Sequence, residues 1–224
     1  MADYYARKLS ARRLQLVYDI APARVKRYLQ AEIDFVLARI AAWHVVLELG
    51  CGYGRVLQPL AQKAKSVCGI DTSRESLQLA RKFLHGSRCW SLAQMDAANL
   101  GFRDHCFHVV VCIQNGISAF QVDQKTLVRE AVRVSRKGGR VLFSSYSERF
   151  WEPRLQWFRM QAAHGLLGEI DEQATGNGVI VCKDGFTATT VGPNEFLELA
   201  AGLEVSASVT EVDESSIFLE MTVE

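Results

Sequence analysis

Proline and net charge are what this 224-residue sequence has least of: four prolines, and 26 lysines and arginines against 25 acids, a formal charge of +1. With 16 glycines, 49% hydrophobic and 23% charged residues, so little proline excludes a collagen-like or wholly disordered chain. Neutrality removes a general pull toward nucleic acid or an anionic membrane. No run of eighteen apolar residues occurs, so no membrane span is expected. The charged start MADYYARKLSARRLQ lacks the apolar stretch of a secretion signal. The six cysteines, at 51, 68, 89, 106, 112 and 182, form no CxxC pair and sit mostly in strand-like runs. They read as reduced core residues of a cytoplasmic protein. A chain of this length has room for one full core and a small appendage.

The first forty residues repeat apolar positions at three- and four-residue steps, from Leu9 to Ile40, which predicts two helices divided at Pro22. From Val45 short apolar runs alternate with helical ones, the pattern of a βαβ sheet. Strands are expected at Val45-Leu49, Val67-Ile70, Ser91-Met95, Phe107-Ile113 and Val141-Tyr146, with helices near Gly54-Lys65, Ser73-Leu84 and Gln124-Ser135. Thr72 and Glu75 have the spacing of a capping box, and Gly138-Gly139 suits a left-handed exit from the third of these helices. Beyond Tyr146 an aromatic helix, a hairpin turning at Lys183-Asp184-Gly185, a helix from Pro193 to Leu203 and two strands near Glu204-Val212 and Ile217-Val223 complete the chain. Charge is unevenly spread. Residues 1–40 hold eight basic side chains and four acids, whereas from Pro193 onward there are eight acids and no Lys or Arg. Two solvated faces are the plain expectation; a lid that attracts an anionic substrate is the functional one.

The segment Val46-Leu47-Glu48-Leu49-Gly50-Cys51-Gly52-Tyr53-Gly54 is an apolar strand that ends in alternating glycines and opens into a helix. Glycines there let a ligand approach the backbone and leave helix amides facing it. A dinucleotide fingerprint GxGxxG would need glycine at position 55, where this chain has Arg55. Glu48, two residues before the first glycine, would repel a pyrophosphate and argues for a ligand bearing positive charge. Asp71 ends the second strand, about twenty residues on, where a carboxylate can accept both hydroxyls of a ribose. Asp96-Ala97 follows the third strand, placed to meet an adenine edge.

The ordered set ELGCGYG, GIDTS, MDAANLGF, FHVVVCIQNG and RVSRKGGRVLFSS closely resembles the motifs of the class I, seven-strand S-adenosylmethionine-dependent methyltransferases, over roughly residues 43–146. The resemblance implies a doubly wound α/β fold: a mostly parallel seven-stranded sheet with an antiparallel last strand. It divides a single domain into an N-terminal helical lid (1–42), a cofactor-binding core (43–146), a substrate-covering helix and hairpin insertion (147–192) and a C-terminal helix and strands completing the sheet (193–224). By matching position, Glu48, Gly50, Gly52 and Gly54 would wrap the methionine part of S-adenosylmethionine, Asp71 with Thr72 would hold the ribose, and Asp96 with Ala97 would read the adenine. Ile113 and Gln114 would flank the cofactor beside the methyl group. One departure is His108, where the family usually has Asp; that acid is commonly structural.

The implied activity is methyl transfer by in-line displacement to a small-molecule acceptor, leaving S-adenosylhomocysteine. Proximity and desolvation can supply much of its rate, and a general base is needed only if the acceptor must lose a proton, so no catalytic residue is assigned. RNA or protein acceptors are the alternative, and a non-catalytic ligand-binding protein or an NAD oxidoreductase a further one. Of the N-terminal tyrosines Tyr4, Tyr5, Tyr18 and Tyr28, Tyr18 is the first choice for a lid contact with the cofactor carboxylate. Asn115 is either a turn residue or a polar group facing the acceptor. Trp151, Trp157 and Phe158 are candidate acceptor contacts, set against simple packing, and His164 is the first choice if a base is needed. His105 and His108 alternate in direction and are not expected to hold a metal, and Cys51 is not expected to be a nucleophile. Missing an Asn/Asp-Pro-Pro-aromatic motif after the fourth strand, the chain is not expected to methylate adenine or glutamine nitrogens.

Overall fold

The computed structural model describes Tyr4, residues 8–87 and residues 89–224. Tyr5 lies outside the described residues. Helices α1 (Ala11–Asp19) and α2 (Ala23–Leu37) are divided at Pro22, which stands at the N-cap of α2 as the spacing predicts. The alternating core follows: β1 (Val45–Leu49), α3 (Leu57–Lys63), β2 (Ser66–Asp71), α4 (Arg74–Phe83), β3 (Trp90–Gln94), β4 (Phe107–Cys112), the short α5 (Gly116–Ala119), α6 (Gln124–Val134) and β5 (Ser135–Tyr146). Then come α7 (Trp151–Ala163), a two-stranded hairpin of β6 (Ile180–Val181) and β7 (Thr187–Ala188), α8 (Pro193–Ala200), β8 (Val205–Val212) and β9 (Ser216–Val223).

Seven strands form one sheet in the order β3-β2-β1-β4-β5-β9-β8. Strands β1 to β5 pair in parallel, and β9 runs antiparallel to both β5 and β8. It is the reversed last strand expected. The central strands read as continuous apolar runs because both faces are covered. On one face Leu127, Val128 and Ala131 of α6 and Phe196 of α8 pack on Val110, Val141, Phe143 and Leu219. On the other, Ile33 and Val36 of α2, Leu57 and Leu60 of α3 and Leu77 of α4 pack on Val46, Val109, Leu142 and Phe218. A third cluster ties the N-terminal segment to α7 and the hairpin through Val17, Tyr28, Tyr146, Phe150, Phe158 and Phe186.

Two local expectations change. The N-cap of α4 is Ser73, whose Oγ accepts the N–H of Ser76 at 3.2 Å, rather than Thr72. Helix α6 ends at Val134, and Gly138-Gly139 falls inside β5, where the pairing shifts between Phe107↔Ser135 and Val109↔Arg140. Gly138, at φ +70°, serves that irregularity and not a helix exit.

The uneven charge also resolves differently from two solvated faces. Arg24 and Arg27 pair with Asp213 at 2.7 and 3.1 Å, and Arg39 with Glu220 at 2.7 Å. Basic start and acidic end are thus partly two sides of one internal seam. No described helix is long and apolar enough to cross a membrane.

Candidate cofactor cavity

A cavity of about 310 Å³ opens where β1, β2, β3 and β4 end, the edge at which doubly wound sheets bind ligands. Its floor is the turn after β1. Gly50 and Gly52 there take φ +72° and +52°, conformations that side chains resist. A Cβ at Gly50 would stand 2.5 Å from Phe120, and one at Gly52 2.8 Å from Leu14. Gly54, at φ +90°, instead faces Leu84 and Ala80 of the α4 layer and does not line the cavity.

Glu48 is buried on the cavity wall, its Oε2 without a hydrogen-bond partner among the described residues. Burial pushes its carboxyl up to about 8, opposed by the nearby Arg55 and reinforced by Asp71. The Arg55 guanidinium lies 4.6 Å from the Tyr18 ring centroid, with Nε and Nη2 buried and likewise without hydrogen-bond partners. A carboxyl group and a guanidinium, each incompletely satisfied, therefore share one wall. Such groups are costly to bury unless something completes them.

Asp71 accepts the Gly52 N–H at Oδ2 and the Ser73 N–H at Oδ1, both at 2.8 Å. Burial raises its pKa against these two bonds. Asp96 is exposed at the rim, its Oδ1 accepting the Ala98 N–H at 2.9 Å, and Thr72 and Ala97 line the wall beside these acids. Ile113 and Gln114 border the opposite side. The Tyr18 hydroxyl donates to Gln114 Oε1 at 3.1 Å, and the tyrosine pKa is raised by burial. Leu9, Leu14, Val17, Trp157 and Phe158 roof the space. Trp157 Nε1 donates to the Val17 carbonyl at 3.0 Å and so binds the two halves of the roof together.

Three other sequence candidates stand elsewhere. Asn115 is buried outside the lining, its Oδ1 accepting from Ser145 Oγ and its Nδ2 donating to the Thr189 carbonyl, each at 2.9 Å. Both ends of its amide are hydrogen-bonded within the fold. Trp151 packs 5.9 Å from the Arg154 guanidinium, away from the cavity. His164 is exposed at the end of α7 with Nδ1 2.8 Å from the Met160 carbonyl, also outside the lining. His108 Nδ1 accepts the Val45 N–H at 3.0 Å, which fastens β4 to the start of β1 and accounts for a hydrogen-bonding residue at that position. His105 contacts the Ser135 carbonyl at 2.9 Å through Nδ1. Burial pushes the Cys51 thiol well up, as for a packing residue.

Sequence reasoning missed Arg55 as a site residue and passed over Tyr53 and Phe120, which also line the cavity. For Arg55 a signal existed: it directly follows the glycine turn, seven residues after Glu48.

Residues 46–139 match a family model described as a methyltransferase domain. A ubiquinone biosynthesis O-methyltransferase from Azoarcus sp. (strain BH72) is 30% identical over 107 residues, 47% of this chain and 45% of that protein. The chain thus spans under half the length of such relatives. Among solved structures, a SAM-dependent methyltransferase from Methanosarcina mazei superposes with a TM-score of 0.63 at 18% identity, covering 84% of this chain and 97% of that one. The N-methyltransferase NodS from Bradyrhizobium japonicum, solved with S-adenosyl-L-homocysteine, gives 0.58 at 17% identity, covering 91% and 88%. These two likenesses concern the fold. Residues 46–139, under half of the chain, thus match a methyltransferase domain, and the chain shares the fold of these two structures, with a reversed last strand in its seven-stranded sheet.

Proposed function

We propose that this chain binds S-adenosylmethionine in the cavity and methylates a small-molecule acceptor. The observation that carries the reading is the incompletely satisfied pair Glu48 and Arg55 beside the glycine turn. A methionyl group brings one ammonium and one carboxylate, the complement of that pair, so the residues present fit the cofactor. In this reading Glu48 holds the ammonium and Arg55 the carboxylate, with Tyr18 beside Arg55. Asp71 with Thr72 holds the ribose, and Asp96 with the Ala97 backbone meets the adenine. Gly50 and Gly52 leave the backbone bare for close approach.

The bound cofactor supplies a methyl group already activated by its sulfonium. The chain's own part is positional. Ile113 and Gln114 bound one side, and the roof of Leu14, Val17 and Trp157 excludes water, so that donor and acceptor are held in line. No histidine or lysine lines the cavity among the described residues. Burial pushes the Tyr18, Tyr53 and Cys51 protons further from release. In this reading the lining acids Glu48, Asp71 and Asp96 are engaged by the cofactor, so the acceptor's lone pair forms the new bond to the methyl carbon as the S–CH3 bond breaks, and a hydroxyl acceptor gives up its proton to solvent. Residues 1–42 serve as lid and 147–192 as cover, with Trp157 and Phe158 the side chains placed to touch an acceptor. An oxygen acceptor is the first to test, after the Azoarcus relative named for O-methylation.

Calorimetry with S-adenosylhomocysteine and NAD side by side tests the reading. Binding of the former alone is expected, and failure of S-adenosylhomocysteine to bind overturns it. Methyl-labelled cofactor incubated with a metabolite extract, followed by mass spectrometry, then identifies the acceptor.

A further inference from the structure

Behind the cavity wall, Glu32 of α2 is fully buried, and the reading above gives it no part. Its Oε2 accepts the Gln114 backbone N–H at 2.7 Å, and Ser144 Oγ lies 2.8 Å from the same nitrogen. That amide opens two consecutive non-glycine residues, Gln114 and Asn115, both at φ +60°. Such a left-handed pair is strained and persists only where its surroundings over-determine it. The side chains on both sides of the turn are committed: Gln114 to Tyr18 at the cavity, Asn115 to Ser145 and Thr189 beneath the hairpin. A single backbone amide is therefore where α2, the end of β4 and the cavity wall meet.

We propose that Glu32 is a positioning residue whose carboxylate, by holding the Gln114 N–H, keeps the strained turn and hence the Gln114 side chain against the cofactor. The proposal rests on the cofactor reading for its consequence, but the hold on the turn can be measured without any ligand. Facing Glu32 are Tyr28 from its own helix, Ser144 from β5, Ser216 from β9, Tyr18 from α1, Cys112 from β4 and Arg55 just after the glycine turn. Burial pushes its carboxyl up to about 7, while Ser144, the Gln114 amide, Ser216 and Arg55 favour the ionised form. The hold is thus gained as the pH rises through neutrality, since an ionised acceptor makes the stronger bond.

The test compares wild type with Glu32→Gln, which keeps the size and a carbonyl acceptor yet cannot ionise. The Gln114 amide ¹H–¹⁵N shift is followed from pH 5.5 to 8.5 in the free protein, with S-adenosylhomocysteine calorimetry at the same pH values. In wild type the Gln114 amide titrates near neutrality. In Glu32→Gln that titration disappears and affinity at pH 8.5 is roughly tenfold below wild type, the scale of one charge-assisted bond, while both proteins share the rise that comes from Glu48. A Gln114 amide that is flat in wild type, or titrates unchanged in Glu32→Gln, overturns the proposal. Should Glu32→Gln not fold, Glu48→Gln decides: persistence of the Gln114 titration there supports Glu32 as its source, and its loss assigns it to Glu48. If S-adenosylhomocysteine binds neither protein, the cofactor reading fails while the amide titration still judges the turn.

Discussion

The carboxylate of Asp71, at the end of β2, accepts the backbone N–H of Gly52 at 2.8 Å while its other oxygen takes that of Ser73 at the same distance. One acid thereby holds the glycine turn against the start of α4. Asp71→Ala removes both bonds along with any ligand hydroxyls. The expected loss is about 1.5–3 kcal/mol of affinity for S-adenosylhomocysteine, the range for hydrogen bonds to a charged group, with a lower Tm. Wild-type affinity by calorimetry would remove Asp71 from the ribose site.

Glu48 predicts opposite pH slopes for stability and binding. Its folded-state pKa, about 8, lies above its ordinary value of 4.5. The folded protein therefore prefers the protonated acid, and this contribution to stability is full below about pH 4.5 and lost as the pH rises through 8. A ligand ammonium prefers the ionised acid, so affinity for S-adenosylhomocysteine climbs over the same interval. Glu48→Gln should flatten the upper part of both curves. Thermal melts and calorimetry from pH 6 to 9 measure them, and unchanged slopes in the variant would contradict the assignment.

Gly69, in β2 beneath the glycine turn, predicts an effect of packing alone. Its φ is not in the left-handed region, but a Cβ there would stand 2.8 Å from Cys51 Sγ and closer still to Leu57 Cδ1. Gly69→Ala should cost about 1–3 kcal/mol through overpacking. Denaturant unfolding should show a lower midpoint at an unchanged m-value.

At the opposite edge of the sheet, His44 and His108 stack with ring centroids 5.5 Å apart. Burial lowers both pKa values, with Arg140 adding to the effect on His44 and Arg136 to that on His108. A histidine depressed in the folded state favours folding above its ordinary pKa of 6.5, and that contribution is lost as the pH falls below it. His108→Asp keeps an acceptor for the Val45 N–H and replaces the 3.2 Å contact between Arg136 Nη1 and His108 Nε2 with an opposite charge. Stability at pH 7 should change by no more than about 1 kcal/mol, and the fall toward pH 5 should be shallower, as measured by thermal melts.

The placement of the glycine turn, Asp71 and Asp96 at the cavity was legible because it depends on position at strand ends, which a chain's alternation of strand and helix reveals. Side-chain direction is less visible. Asn115, Trp151 and His164 have suitable chemistry at suitable places in the order of elements, yet the first is consumed by Ser145 and Thr189, and the others turn away from the cavity. Glu32 was invisible for the converse reason: one acid in an amphipathic helix gives no sign of being fully buried. The charge asymmetry was visible as composition, but its meaning lies in long-range pairing such as Arg39 with Glu220.

The reversed strand β9 is inserted between β5 and β8. On a chain emerging in order from the ribosome, β8 appears first and has no sheet neighbour but the strand still to come, while β5 keeps one flank of bare amides and carbonyls. Both are unpaired edges of the kind that recruit wrong partners. Residues 216–223 therefore act as a closing wedge, whose arrival turns β5 into an interior strand and gives β8 its one neighbour, leaving β8 as the outer strand of the sheet.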